Sequence, residues 1–303
     1  MRSQRNTKAE SYPMECFPFM NPDSISTTTI TKSYVPSTAM ATEEQPKIKL
    51  YWLEKSRAQN VLWLLEELEV EYELVTFRRK KDQFAPDDLK KIHPLGKSPV
   101  ISITPPGTAE PIVLAESGFI VQYLTEHFGK DTTLMPKRYR EGQEGKAGGE
   151  TEAWLRWQYF LHFTEGTMMG SLVMAMVIGN LKSRQVPFFI RPLTSMVANQ
   201  IFAHLIYPNV KSQLAFLEQQ LSTSGGDYLC GEHLTAADIL ISFGLITAKE
   251  QFQTFGDWEG RTPRELYPRL FAYIDRLETL PGYKRSVQKI KEIDESLGIK
   301  FQL

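Results

Sequence analysis

From Lys47 onward the chain acquires a pattern. Ile48, Leu50 and Trp52 recur at every second position, the period of a strand with one face buried. In the run RAQNVLWLLEEL that follows Ser56, Val61, Leu62, Leu64, Leu65 and Leu68 fall on one stripe of a helix. Ser56 stands where an N-cap is wanted, its hydroxyl able to accept from a free amide of the first turn. Residues 72–77 read as a second strand, so the opening is a β-α-β unit whose two strands are expected to pair in parallel. The basic run RRKK after it reads as solvated surface. Strands are next expected over 100–103 and 112–114, then a helix starting near Glu116.

After that helix the pattern breaks. Residues 131–149 carry no apolar period and include the glycine-rich EGQEGKAGG, so they read as a linker. From 150 to the C-terminus the period is helical, over 150–182, 192–221, 235–252 and 268–280. Thr235 with Asp238 three residues on is a capping pattern, with Asp where Glu or Gln is usual, and both are expected to be structural. Residues 1–46 differ from all of this. They are crowded with Ser, Thr and Pro and show no period, so they bury too little apolar surface to offset the entropy of ordering and are expected to form a disordered tail. Arg2, Arg5 and Lys8 make a mitochondrial presequence the rival reading, opposed by Glu10, Glu15 and the prolines, and Met40 is a candidate alternative start. The expected architecture is an α/β domain over 47–130 followed by an all-α domain over 150–303.

Composition narrows the function classes. A length of 303 residues fits two domains at about 150 residues each. A net charge of −1, from 35 basic and 36 acidic side chains, provides no global field to draw nucleic acid. The only cysteines, Cys16 and Cys230, belong to no CxxC pair and no metal-ligand spacing, which speaks against a disulfide framework and against a zinc site and favours a reduced, cytoplasmic setting. The longest apolar stretch, 168–178, is short of the ~18 residues a spanning helix needs, so no transmembrane segment is expected.

The chemistry lies in the loops of the first half. A β-α-β, β-β-α order with Ser98–Pro99 at the head of the third strand points to a thioredoxin-like fold, in which Pro99 is cis and the main chain of Ser98 is turned outward, free to bind a peptide backbone. HPLGKSPV followed by LAESGFIVQYL is similar to the glutathione-site signature of cytosolic glutathione transferases. LEKSRAQNVLWLLEELEVEYE and YFLHFTEGT resemble a bacterial and fungal subgroup of that family with Ser-Arg at the first strand-helix turn, and the likeness extends over roughly 47–288. The resemblance implies a thioredoxin-like domain followed by a helical bundle, a homodimer, glutathione as co-substrate rather than cofactor, and no metal. It places the γ-glutamyl carboxylate on Ser117 at a helix N-terminus, whose free amides favour an anion, and the ammonium on Glu116. Ser98 would bind the cysteinyl main chain and Lys97 the glycyl carboxylate, although a lone lysine is also at home simply solvated.

Activity in that family requires a thiolate. A thiol of pKa ~8.5 is a few per cent ionised at pH 7, and a hydroxyl donor at a helix start lowers that value. Ser56 is the candidate catalytic donor to sulfur. The serine-type branch of the family carries its serine four residues before the arginine, and that position here is Leu53; if Ser56 only caps, backbone amides or Arg57 must stabilise the sulfur. The turn has no cysteine for a thiol-disulfide nucleophile. Trp157, Phe163, Glu165 and Met169 on the first long helix are candidates for the hydrophobic electrophile pocket, with bundle core as the alternative for some of them. The expected activity is conjugation of glutathione to hydrophobic electrophiles. Reduction of organic hydroperoxides by the same thiolate, and a non-catalytic binding or regulatory role, are the alternatives.

Overall fold

The computed structural model describes residues 45–297. The expected N-terminal tail therefore lies outside the described residues except for positions 45 and 46. Four strands, β1 (Lys47–Leu53), β2 (Tyr72–Phe77), β3 (Val100–Thr104) and β4 (Ile112–Ala115), form one sheet in the order β2-β1-β3-β4. β1 pairs in parallel with β2 across the crossover helix α1 (Ala58–Glu67), and β3 runs antiparallel to both β1 and β4. α2 (Ser117–Phe128) closes the unit.

Strand alternation sorts side chains onto two faces. Ile48, Leu50 and Trp52 join Tyr72 and Leu74 in the main core, beneath the helices. Leu53, Val75 and Phe77 point the other way, onto Leu89 of the short turn Asp87–Lys91.

The second half is helical: α3 (Glu152–Phe163), α4 (Met169–Gly179), α5 (Arg191–Ile201), α6 (Tyr207–Thr223), α7 (Ala236–Ala248), α8 (Pro263–Leu266), α9 (Pro268–Thr279) and α10 (Pro281–Ile293). The fold is thioredoxin-like in its first half and a helical bundle in its second. The long stretches over 150–182 and 192–221 are each interrupted by a wider π-helical turn, Thr164–Met168 and Phe202–Ile206. Such a turn holds one residue more than the α period allows and swings the following stripe round the axis. One helical run, Glu152–Lys182, is long and apolar enough to cross a membrane, which the sequence pattern alone had not shown, and 39% of its most apolar window is buried inside the protein. Residues 131–149 hold neither helix nor strand; they are a series of turns tied by Arg140 N–H to Gly149 O (2.9 Å) and continued by Thr151 N–H to Arg138 O (2.8 Å).

One apolar core runs through both halves, because α1 is buried from Ala58 to Glu66 between the sheet on one side and α7 and α10 on the other. A helix with no wet face must pair every polar side chain it carries. Trp52 Nε1 donates to Gln59 Oε1 (3.1 Å), whose Nε2 donates to Ser286 Oγ on α10 (2.9 Å). Asn60 Nδ2 donates to Leu240 O of α7 (2.6 Å) and its Oδ1 accepts from Ser242 Oγ (3.2 Å). Glu66, 1% exposed, takes Lys289 Nζ of α10 at 2.7 Å and the Tyr72 hydroxyl. These polar ties fix how α7 and α10 sit on the site-bearing helix.

The capping pattern at α7 is present. Thr235 N–H donates to Asp238 Oδ2 (2.9 Å), as does Thr235 Oγ1 (2.7 Å), while Oδ1 accepts from Leu229 N–H (3.0 Å) and from the Tyr273 hydroxyl (2.8 Å). Asp238 is thus more than a cap: it ties α7 to the preceding loop and to α9.

Candidate active site

The site is assembled where α1 and α2 begin. The chain leaves β1 through a tight turn with Lys55 at φ +49°, and α1 starts at Ala58 with Arg57 as its N-cap. The helix therefore begins one residue later than an N-cap at Ser56 would set it. Ser56 still satisfies the first turn, since its Oγ accepts from Ala58 N–H (3.2 Å). The same hydroxyl lies 3.2 Å from Ser98 Oγ, and Ser98 Oγ donates to Tyr51 O (3.3 Å). The Ser98–Pro99 peptide is cis. Ser56 and Ser98, 42 positions apart, are thereby brought into contact at the end of β1.

α2 contributes the other wall. Glu116 has φ +73°, a conformation that costs a residue with a side chain roughly 1–3 kcal/mol and persists only where its surroundings enforce it. The bend leaves Glu116 exposed and Ser117 buried at the first turn of α2. Lys97 is exposed just ahead of Ser98.

Glu165, in the π turn between α3 and α4, reaches this place from the helical half. Its Oε2 pairs with Arg57 Nη1, and the nearby Ser117 hydroxyl also favours its charge. Its Oε1 is buried and has no hydrogen-bond partner. Burial pushes the Glu165 carboxyl above the ordinary range; Arg57 and Ser117 oppose that rise, and the nearby charge of Glu116 adds to it.

The other candidates from the first long helix belong elsewhere. Trp157 is fully buried, Phe163 packs with Tyr159, Phe160 and Phe216, and Met169 lies against Gly244 of α7, where its Sδ would sit 2.9 Å from an added Cβ. These three are buried in the bundle core. Positions 157, 160, 161, 163, 164, 168 and 169 are buried, and Glu165 is the half-buried polar position among them. The pairing of Arg57 with Glu165 was not anticipated. Its signal was the joint presence of LEKSR and FTEGT, two of the stretches that carried the resemblance, which lie 108 positions apart at their charged residues. Leu53 is buried on the opposite face of the sheet and Tyr51 turns its hydroxyl toward Ser102 Oγ (3.4 Å), so neither adds to the site. Cys230 is buried, and burial pushes its thiol far above the usual range. Among the described residues no group of three or more His, Cys, Asp or Glu is placed to hold a metal ion.

Comparison with known proteins decides the family. Residues 46–126 match the glutathione S-transferase N-terminal domain and residues 196–288 the glutathione S-transferase C-terminal domain. The chain is 33% identical over 256 residues to glutathione S-transferase 1 of Saccharomyces cerevisiae, covering 84% of this chain and 99% of that protein. This chain belongs to the glutathione S-transferase family. Among solved structures it resembles a glutathione S-transferase from Actinobacillus pleuropneumoniae (26% identity, TM-score 0.53, 80% of this chain and 92% of that one). It also shares its fold with Ure2p5 from Phanerochaete chrysosporium, cocrystallized with 1-(S-glutathionyl)-2,4-dinitrobenzene (17% identity, TM-score 0.60, 84% and 100%).

Proposed function

We propose that this protein binds glutathione across Ser98, Glu116 and Ser117, holds its thiol as thiolate beside Ser56, and conjugates it to hydrophobic electrophiles. The observation that carries the reading is the convergence of two helix N-termini on the turned-out Ser98, with Ser56 Oγ 3.2 Å from Ser98 Oγ. A thiol laid along Ser98 lies beside the Ser56 hydroxyl and the first amides of α1, and both favour the anion over the neutral thiol. Ser56 acts as a donor: the proton leaves to solvent, the sulfur attacks the electrophilic carbon, and the leaving group departs with the electron pair of the broken bond. Lys97 supplies a cation for the glycyl carboxylate. The Arg57 guanidinium, also at the start of α1, adds positive potential to the same place.

Ure2p5 was cocrystallized with the glutathione adduct of dinitrobenzene, so a halodinitrobenzene is the first electrophile to try. The test is formation of that adduct by the full chain, run beside a panel of other electrophiles and organic hydroperoxides. Turnover on the electrophiles supports the proposal, and reduction of hydroperoxides alone replaces conjugation with the peroxidase alternative. Glutathione binding with no turnover anywhere assigns the chain a binding role, the outcome that apolar Leu53 at the serine-type position favours. The protein is further proposed to be cytoplasmic and homodimeric, with a role in detoxification or in secondary-metabolite biosynthesis. Exposed Ile112, Val113, Phe119 and Leu155 give a second copy apolar surface to cover. A monomer in sedimentation at micromolar concentration would refute the dimer.

A further inference from the structure

Taking as given the reading that Ser117 and the α2 N-terminus hold the γ-glutamyl carboxylate, we infer that Glu165 occupies that anion's place in the unliganded protein, so that glutathione binds by exchanging one carboxylate for another. Three observations support this. Arg57, the cation at the start of α1, is paired with Glu165, and the Ser117 hydroxyl at the start of α2 stands near enough to favour the Glu165 charge. The side chain of Glu165 lies against the first turn of α2, its Cγ 3.9 Å from where a Cβ on Gly118 would stand. Its second oxygen, Oε1, is buried without a partner, so the carboxylate sits there incompletely satisfied.

The electrostatics make occupancy exclusive. One guanidinium and one helix N-terminus are matched to one carboxylate, and Glu116 already places a second negative charge beside them. A ligand carboxylate entering while Glu165 stayed would put like charges together in a half-buried site. Exchange avoids that: Arg57 keeps an acceptor, and Glu165 recovers the water it lacked. Burial and the charge of Glu116 together cost the Glu165 charge more than Arg57 and Ser117 return, which makes the internal carboxylate a tenant that leaves easily. Glu165 is then a positioning residue that sets the threshold for glutathione and the free state of Arg57, and does not touch the reacting sulfur.

The proton balance gives a signature. Glu165 binds its proton more tightly in the free protein than after displacement into water, so binding releases a proton, and affinity rises with pH above the ordinary carboxylate value of about 4.3. The charged groups facing Glu165 are Arg57 from α1 and Glu116 from α2, with the Ser117 hydroxyl beside them. S-Methylglutathione has no thiol to ionise, and its carboxyls titrate near 3.5 and its α-amino group near 7.8, so the ligand's own protonation stays fixed between about pH 5 and 7.

Calorimetric titration of S-methylglutathione into the full chain, across that range and in two buffers of different ionisation enthalpy, tests the inference. Glu165→Ala removes the competitor and is expected to tighten binding by about tenfold, the factor by which an occupied site weakens apparent affinity when about a tenth of molecules are open. Wild type should release protons, and Glu165→Gln, which cannot titrate, should release none. Weaker or unchanged binding in Glu165→Ala, in a variant shown to be folded by thermal melting, overturns the inference and makes Glu165 a partner of Arg57 or of the ligand. Proton release persisting in Glu165→Gln also overturns it. Loss of affinity is expected in Ser117→Ala. If that affinity is unchanged, or if neither wild type nor Glu165→Ala binds S-methylglutathione, the binding-site reading fails, and the inference with it.

Discussion

Asp238 and Glu165 are both carboxylates drawn out of water by the helical half, and they are held in opposite ways. Asp238 is fully buried and accepts four hydrogen bonds, from Leu229, Tyr273 and Thr235 twice. Glu165 has Arg57 as its one ion-pair partner and leaves Oε1 with nothing. Burial pushes both carboxyls up. The difference lies in saturation. A buried acid whose every lone pair is met is a knot in the fold, expensive to cut and with nothing to offer a ligand. A buried acid left short of partners, at a junction between two elements, can change partners when a ligand arrives.

The largest expected effect cuts the knot. Asp238→Ala strands the Leu229 and Thr235 amides and the Tyr273 hydroxyl in the core, each worth about 1–3 kcal/mol when buried unpaired, so a loss of about 3 kcal/mol or more is expected in denaturant titration. That exceeds the ~0.5–2 kcal/mol of an ordinary cap, because three elements meet on this carboxylate. Glutathione affinity of the folded fraction should hold. Intact stability with lost turnover would move Asp238 into the mechanism and end the contrast.

Smaller effects are expected at the site. Ser56→Ala should leave glutathione affinity nearly intact while the bound thiol's pKa rises by about one unit, equivalent to about 1.4 kcal/mol, read by ultraviolet absorbance of the thiolate. Ser117→Ala should do the reverse, with weaker binding and a thiol pKa that hardly moves. An unchanged thiol pKa in Ser56→Ala would leave Arg57 and the α1 amides to stabilise the sulfur.

The smallest effect belongs to Glu165 measured as a stability residue. Its pKa is raised by folding, so the folded state holds the proton more tightly, and stability falls as pH climbs from about 4.3 through the raised value. Glu165→Gln lacks that fall. It should therefore match wild type within about 1 kcal/mol, with any gain appearing as pH rises to neutrality. A loss as large as that of Asp238→Ala would show that the Arg57–Glu165 pair is a second knot.

Sequence by itself was enough for the strands, the order of the sheet half and the helical second half, because strand and helix periods are local properties of the apolar pattern. β2 spans the residues expected, and β3 and β4 each extend one residue beyond them. The family, too, was legible in the motifs around Ser98 and Ser117. The tertiary structure decided what each side chain faces. Helical period alone could not separate Trp157, Phe163 and Met169 from a pocket, since a stripe is apolar whether it meets core or ligand. Only the packing of α3 and α4 on α7, with a π turn between them, turned those three inward and delivered Glu165 to Arg57 across 108 positions of chain. Period records which positions are apolar; contact between distant elements depends on how they dock, and no local pattern carries that information.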